Sequence, residues 1–190
     1  QRIRHIVYLP TAGEPIEVLR ATFSGLAGTD YPSLKMIVVL GGEGRLEADF
    51  VPKAEQIKKE FNGVFAEILV TVHPDGLPDE IKGKGANANW MGHRSKELID
   101  RLGIPYDDLI VSYFDSDTCV HKRYFSYLTY KFLTHPEPNR VSYQPAVVYN
   151  NNIWKAAFFA RVVATSNTFW QMIQQERAEK LTTYSSHAIP

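Results

Sequence analysis

Short apolar runs alternate with amphipathic segments along the chain. The runs are nearly continuous, which is typical of strands buried on both faces of a parallel sheet. They predict four strands, at Ile3–Leu9, Met36–Leu40, Phe65–Val72 and Asp108–Phe114. A fifth strand is predicted at Arg140–Tyr149, at a sheet edge or a bulge, because the proline in it cannot donate a backbone hydrogen bond.

The amphipathic segments repeat apolar residues at intervals of three or four, which is typical of helices with one buried face. They predict helices at Ile16–Leu26, Phe50–Phe61, Ala86–Leu102, His121–Leu133 and Phe158–Lys180. This alternation predicts an α/β fold with a doubly wound, mostly parallel sheet and helices on both faces. The 190 residues fit one domain, residues 1–190.

Glycines mark two of the predicted ends. Gly41 and Gly42 are expected to end the second strand, and Gly103 to end the third helix. Ligands of parallel α/β sheets bind at the carboxyl ends of the strands. The loops that follow the first four strands are therefore the candidate site.

Composition narrows the function classes. Lys and Arg number 21 and Asp and Glu number 21, so the chain lacks the basic excess of a general nucleic-acid binder. The single cysteine, Cys119, is expected to be a small buried residue and favours a reducing, cytoplasmic compartment. The chain begins without Met and stops abruptly at Pro190, so we expect a domain whose C-terminal part is missing.

Two carboxylates follow the fourth predicted strand in "FDSD". Asp115 and Asp117 are two residues apart, so in an extended segment they point to the same side. Mg²⁺ and Mn²⁺ prefer such oxygen ligands and complete their shells with phosphate and water. The alternative is that one Asp caps the next helix and the other is solvated; the residues alone leave both readings open. His121, soon after, is more often solvated than a metal ligand.

A second feature is the segment "KGKGANAN", residues 82–89. Its glycines permit close backbone approach, a helix N-terminus follows, and Lys82 or Lys84 adds positive charge, so it is a candidate diphosphate cradle. The alternative is a surface loop with an Asn helix cap. The loop after the first strand holds Glu14, for which capping its own helix is the simpler expectation.

Taken in order, these segments resemble the family 2 glycosyltransferases, which have the GT-A fold. "DYPSLKMIVV" resembles their entry into the second strand, "KGKGANANW" their Lys-Gly-x-Ala-x-Asn segment, and "FDSDTCVHKRYF" their Asp-x-Asp segment and its helix. The resemblance extends from about Ile3 to the end of the chain. It implies a nucleotide-sugar donor linked to UDP or GDP, and Mg²⁺ or Mn²⁺.

The resemblance also implies roles by position. Asp117 is expected to bind the metal, and Asp115 to face the ribose or the metal-bound diphosphate and to serve as a second metal ligand. The other residues expected to bind the donor are Thr11, Glu14, Glu43, Lys84 and Asn87. The family's acidic general base has no counterpart after Asp117, so the base is expected beyond Pro190 and the fragment is expected to be weak or inactive alone.

The acceptor is expected to be a glycan or a lipid hydroxyl, bordered by Tyr143–Pro145 and Asn150–Asn152. The aromatic-rich stretch Ile153–Ile173 is expected to pack in the core. Contact with a membrane surface is the alternative, since many family members are membrane-anchored on the cytoplasmic side.

Two other functions stay open. A nucleotidyltransferase also pairs Asp residues with a metal, but needs a basic, glycine-rich loop after the first strand. A non-catalytic nucleotide-sugar-binding module would keep the fold without the chemistry.

Overall fold

The computed structural model describes residues 2–78, 80–81, 83–148, 153, 156–177 and 186–190. Within them the strands are β1 Arg4–Pro10, β2 Met36–Glu43, β3 Glu67–His73, β4 Leu109–Tyr113 and β5 His187–Ile189. The α-helices are α1 Ile16–Ala27, α2 Glu47–Glu60, α3 Lys84–Leu102, α4 Tyr124–Thr134 and α5 Phe158–Gln175.

The five strands form one sheet in the order β3-β2-β1-β4-β5. Parallel pairs join β3 to β2, β2 to β1 and β1 to β4. The last strand, β5, pairs with β4 in antiparallel orientation. The predicted α/β class with a mostly parallel sheet is confirmed. The chain moves outward from β1 to β3 and then returns to the other side of β1. The strand order therefore reverses between β1 and β4, where ligand crevices form in such sheets.

Helices cover both faces of the sheet. On one face, Val7 and Leu9 of β1 pack in a buried cluster with α1, α2 and α4. On the opposite face, Ile6 belongs to a second cluster that contains Met91 and Leu98 of α3. Successive strand residues point to opposite faces, so the nearly continuous apolar runs are explained by this double covering.

The prediction that Gly41 and Gly42 end the second strand is wrong, because β2 continues through them to Glu43. A Cβ on Gly41 would lie 2.3 Å from Met91 Sδ, and one on Gly42 would lie 2.2 Å from the ring of Phe50. The glycines therefore let α3 and α2 approach β2 closely on opposite faces. Gly103 does end α3, in a left-handed conformation with φ 62°.

The strand predicted at Arg140–Tyr149 is also wrong for its described residues. Arg140 closes a short 3₁₀ turn, and residues 141–148 form no strand, only an isolated antiparallel bridge between Tyr143 and Ala188. Pro145 has no N–H to extend a ladder beyond this bridge. The fifth strand of the sheet is instead the three-residue β5.

The helix predictions hold, with shifted ends. α4 begins at Tyr124 rather than His121, and α3 begins at Lys84 rather than Ala86. The last helix is described to Gln175, and the predicted extension to Lys180 falls partly outside the described residues. In the part of the chain that the structure describes, none of the helices has both the length and the apolar character to cross a membrane.

The expectation that the aromatic-rich stretch packs in the core is wrong for α5. Its buried side chains are Gln171 and Gln174. Its apolar residues lie outward, with Phe158 at 71% and Phe159 at 80% exposure. We call this the outer face of α5; its large apolar members are Phe158, Phe159, Val162, Val163, Phe169, Trp170, Met172 and Ile173. Trp154 lies outside the described residues.

Candidate functional site

The loops after β1 and β4 meet at the reversal of strand order. Thr11 is buried, and its N–H donates to the Gly41 carbonyl at 2.8 Å. The Glu14 carboxylate accepts hydrogen bonds from the Thr11 hydroxyl and, at 2.7 Å, from the Ala12 N–H. Glu14 therefore stabilises the turn of its own loop. No side-chain hydrogen bond caps α1, and an effect of the Glu14 charge on the N-terminus of α1 stays a prediction.

Ser116 connects this loop to the Asp-x-Asp segment. It is buried between the two aspartates, and its carbonyl accepts a hydrogen bond from the Thr22 hydroxyl at 2.7 Å. Burial alone would raise the pKa of Glu14, but hydrogen bonds from Thr11, Ser116 and the Ala12 N–H outweigh it and lower that pKa. An ionised Glu14 thus ties the two loops together.

Asp115 forms an ion pair with Lys84, the first residue of α3. Lys84 Nζ also lies 5.8 Å from the ring centroid of Tyr113, the last residue of β4. Burial, and secondarily the charge of Asp115, raise the pKa of Tyr113 to about 12, so the phenol stays neutral. The positive charge beside the Asp-x-Asp segment therefore comes from the helix that was predicted to cradle a diphosphate.

Asp115 and Asp117 line a cleft of about 740 Å³. Ser116 between them is buried. The segment is a turn rather than the extended chain that was expected, because the Thr118 N–H donates to the Asp115 carbonyl at 2.9 Å. Cys119 and His121 line the same cleft and are exposed. The expectation that Cys119 is buried is therefore wrong, because the chain after β4 turns outward before α4 begins.

The opposite wall of the cleft is apolar. It is formed by the segment Pro145–Val148, by Ile153, by Ala156 shortly before α5, and by Ala160 and Ala164 in the first turns of α5. We call this the apolar wall. The Pro145 carbonyl accepts a hydrogen bond from Gln175 Nε2 at 3.3 Å, which holds the segment against α5.

Two of the predicted donor-binding residues, Asn87 and Glu43, contact residues of β2 and β3. Asn87, near the start of α3, is buried against β2, where its Nδ2 donates to the Gly41 carbonyl at 3.2 Å. Glu43 ends β2, and its carboxylate lies 3.8 Å from His73 Nδ1. His73 Nε2 lies 2.9 Å from the carboxylate of Glu80. Lys82 and Asn150–Asn152 fall outside the described residues.

The described residues contain no group of three or more His, Cys, Asp or Glu side chains that could hold a metal ion. A complete protein cage for a metal is therefore not formed by this part of the chain. The two aspartates still fit Mg²⁺ or Mn²⁺, since such ions are commonly held by one or two carboxylates together with substrate phosphates.

The sequence reasoning missed Tyr113, Ser116 and the apolar wall. Tyr113 ends β4 two residues before Asp115, so strand alternation could have suggested that the two share a side of the sheet. The buried position of Ser116 had no such signal, because it lies in the turn after the strand. The apolar wall had a weaker signal, the run Ala146–Val148, which was assigned to a strand.

No protein-family model and no curated protein matches the chain. The chain is similar to a solved mannosyltransferase, PcManGT from Pyrobaculum calidifontis in complex with GDP-Man and Mn²⁺, at 18% identity and a TM-score of 0.48, over 76% of this chain and 35% of that one. It is also similar to TarS 1–349 from S. aureus in complex with UDP-GlcNAc, at 16% identity and a TM-score of 0.43, over 69% and 31%. TarS 1–349 without a named ligand gives 14% identity, a TM-score of 0.47, and coverage of 80% and 44%. The chain spans less than half the length of each of these solved chains.

Proposed function

We propose that this chain is the donor-binding part of a metal-dependent glycosyltransferase, which moves a sugar from a UDP- or GDP-linked donor to a hydroxyl acceptor with inversion. The observation that carries the proposal is the meeting of Asp115, Asp117 and Lys84 at the reversal of strand order, beside a cleft large enough for a ligand. The order of the sequence motifs, which resembles that of family 2 glycosyltransferases, supports it.

In the proposed reaction the acceptor oxygen attacks the anomeric carbon while the bond from that carbon to the diphosphate breaks. The nucleoside diphosphate leaves, and the hydroxyl proton passes to a base. Asp117 and Asp115 would hold a divalent cation, whose charge, when it is bound, would stabilise the departing diphosphate. Lys84 would leave Asp115 and contact the diphosphate, because a phosphate oxygen offers it an equally strong acceptor.

The general base is proposed to lie outside the described residues. The described acidic residues after Asp117 are Glu137 and Glu176, and neither lines the cleft. Glu137 is exposed and pairs with Arg140 at 3.1 Å. Glu179 lies outside the described residues. A positioned base contributes about 10²–10⁴-fold to such a proton transfer, so donor binding and turnover would separate in this chain.

The nucleotidyltransferase alternative is disfavoured by the loop after β1. Such an enzyme would need free backbone N–H groups there to cradle phosphates. The Ala12 N–H already donates to the Glu14 carboxylate, so it does not point at a phosphate. A non-catalytic binding module would bind donor without transferring sugar, and only activity of a longer chain separates it from the enzyme.

We also propose that the outer face of α5 associates with the cytoplasmic surface of a membrane. Helices that lie in the lipid interface carry a wide apolar stripe with Phe and Trp, and Phe159, Phe169 and Trp170 are all more than half exposed. An apolar surface of this kind is costly to leave in water.

Calorimetric titration of UDP and GDP, with and without Mn²⁺, tests the proposed function. The wild-type chain should bind one of them only in the presence of metal, and Asp117→Ala should remove that metal dependence. Asp107→Ala, an exposed acid away from the cleft, is the matched control and should bind as the wild type does. Metal-independent binding by the wild-type chain would contradict the proposal.

A further inference from the structure

The two walls of the cleft differ in chemistry. The charged groups that line it, Asp115, Asp117 and the ionisable His121, all belong to the segment between β4 and α4. The described residues of the apolar wall carry neither charge nor side-chain hydrogen-bonding groups. One ligand that filled this cleft would therefore need a charged or polar part at one side and an apolar part at the other.

A free sugar fits the apolar wall poorly. Each buried hydroxyl group that lacks a hydrogen-bond partner loses free energy relative to water, and the alanine, valine, proline and isoleucine side chains offer none. A hydrocarbon chain meets no such penalty. It would cover apolar surface that now faces water, including Val148, which is 54% exposed.

The shape of the apolar wall also suits a chain. Ala160 and Ala164 are four residues apart in α5, so they lie in one row along its first turns. Together with Ala156, which precedes the helix, their small side chains keep the cleft open. Larger apolar residues lie on the outer face of the same helix. A chain leaving the cleft along α5 would thus remain beside apolar surface.

We propose that the acceptor is an amphiphile, a hydroxyl-bearing head group on a hydrocarbon chain, with the head beside Asp115 and Asp117 and the chain on the apolar wall. This proposal rests on the proposed function, because it takes the two aspartates as the donor end of the cleft. It selects the lipid class from the two acceptor classes that the sequence left open.

Alkyl glucosides with butyl, hexyl and octyl chains, used below their micelle concentrations, serve as probes against free glucose. Binding is measured by ligand-observed NMR and by calorimetry on the 190-residue chain. Affinity should rise about two- to fourfold for each added methylene that the cleft encloses. Ala160→Phe, which places a ring in the cleft from an exposed position, should weaken octyl glucoside binding at least tenfold. Val163→Phe, on the outer face of the same helix, is the matched control and should leave that binding unchanged.

The outcomes separate this inference from the proposed function, which is read independently by Mn²⁺-dependent UDP or GDP binding. Chain-length dependence that Ala160→Phe removes and Val163→Phe spares supports the inference. Equal binding of glucose and octyl glucoside overturns it and leaves donor binding unaffected. Octyl glucoside binding that resists Ala160→Phe also overturns it, because the chain then sits on the outer face. If the probes bind in the cleft but neither nucleotide binds, the proposed function fails and the acceptor assignment fails with it. Circular dichroism and thermal unfolding of each variant show whether it is folded.

Discussion

Two helices of nearly equal length, α3 with 19 residues and α5 with 18, both repeat apolar residues at helical intervals. The apolar face of α3 is buried, whereas that of α5 is exposed. α3 lies on the sheet and packs against β1, β2 and β3. Its buried face includes Met91, Leu98 and Ile99, and its exposed face is polar. α5 turns small and polar residues toward the protein and leaves its aromatic residues in contact with solvent.

The difference shows what periodicity predicts and what it omits. A repeat of apolar residues at three and four positions indicates a helix with one apolar face. It does not indicate what covers that face. For α3 the cover is the sheet, three strands of which precede it in the chain. For α5 the apolar face is exposed in the structure described.

Gly41→Ala is the change expected to disturb the α3 region most. The added methyl group would overlap Met91 Sδ and Cγ and lie 3.0 Å from Asn87 Oδ1, and both residues are buried. We expect the free energy of unfolding to fall by about 2 kcal/mol. Gly92→Ala on α3 is the control: its Cβ would meet nothing within 4 Å, and the same substitution should stabilise the helix by about 0.5–1 kcal/mol. Chemical denaturation compares them, and equal values for the two variants would refute the close packing of α3.

The fold was predictable because buried parallel strands have a local signature. Four of the five predicted strands were placed correctly from apolar runs alone. The fifth failed because Pro145 prevents a ladder, and β5 is too short to give a run of its own. The end of β2 failed for another reason: Gly41 and Gly42 were read as a stop, whereas they are required by side chains 8 to 50 residues away along the chain, Phe50 and Met91.

The candidate site was partly predictable. Asp115 and Asp117 line the same cleft, as the sequence predicted, but the segment that carries them is a turn and not the extended chain from which the prediction was made. The ion pair of Asp115 with Lys84 and the hydrogen bonds of Glu14 join loops that are far apart in sequence, so no local pattern reveals them. The donor-binding roles of Thr11, Glu14, Glu43, Lys84 and Asn87 stay predictions.

Lys84→Ala tests whether the first residue of α3 binds a ligand, whereas the middle of the helix packs on the sheet. A charge-assisted contact to phosphate is lost, so UDP or GDP binding should weaken about tenfold while nucleoside binding is nearly unchanged. Lys96→Ala on the same helix, where Lys96 pairs with Asp100 at 2.7 Å, is the control. Calorimetry with nucleotide and nucleoside decides; equal losses for the two ligands would mean that Lys84 acts through the fold.

Glu14→Gln tests the connection between the loops after β1 and β4. The pKa of Glu14 is lowered in the folded protein, so its ionised form contributes stability that is present above the unfolded pKa and is lost as pH falls through the folded one. Glu14→Gln should therefore lower the free energy of unfolding by about 1 kcal/mol at pH 7, and less as the pH falls below 4.5. Glu17→Gln, at an exposed acid 3.8 Å from Arg20, is the matched control and should change the free energy of unfolding at pH 7 by less than about 0.5 kcal/mol. A difference for Glu14→Gln that is constant with pH would contradict this role.

Substitution on the outer face of α5 should have the smallest effect on stability. Phe169 and Trp170 are 66% and 60% exposed, so Phe169→Ala and Trp170→Ala should change the free energy of unfolding by less than about 0.5 kcal/mol. In α3, by contrast, Met91→Ala should lower the free energy of unfolding by about 2–5 kcal/mol, because that side chain is fully buried.

If the outer face of α5 lies on a membrane, the double variant Phe169→Ala, Trp170→Ala should lose binding to vesicles of mixed neutral and anionic lipids, measured by flotation, while its unfolding curve stays unchanged. A fully folded double variant that still floats with the vesicles would remove the basis for membrane association. A large loss of stability would instead mean that the aromatic residues are covered by protein in solution, as the sequence first suggested.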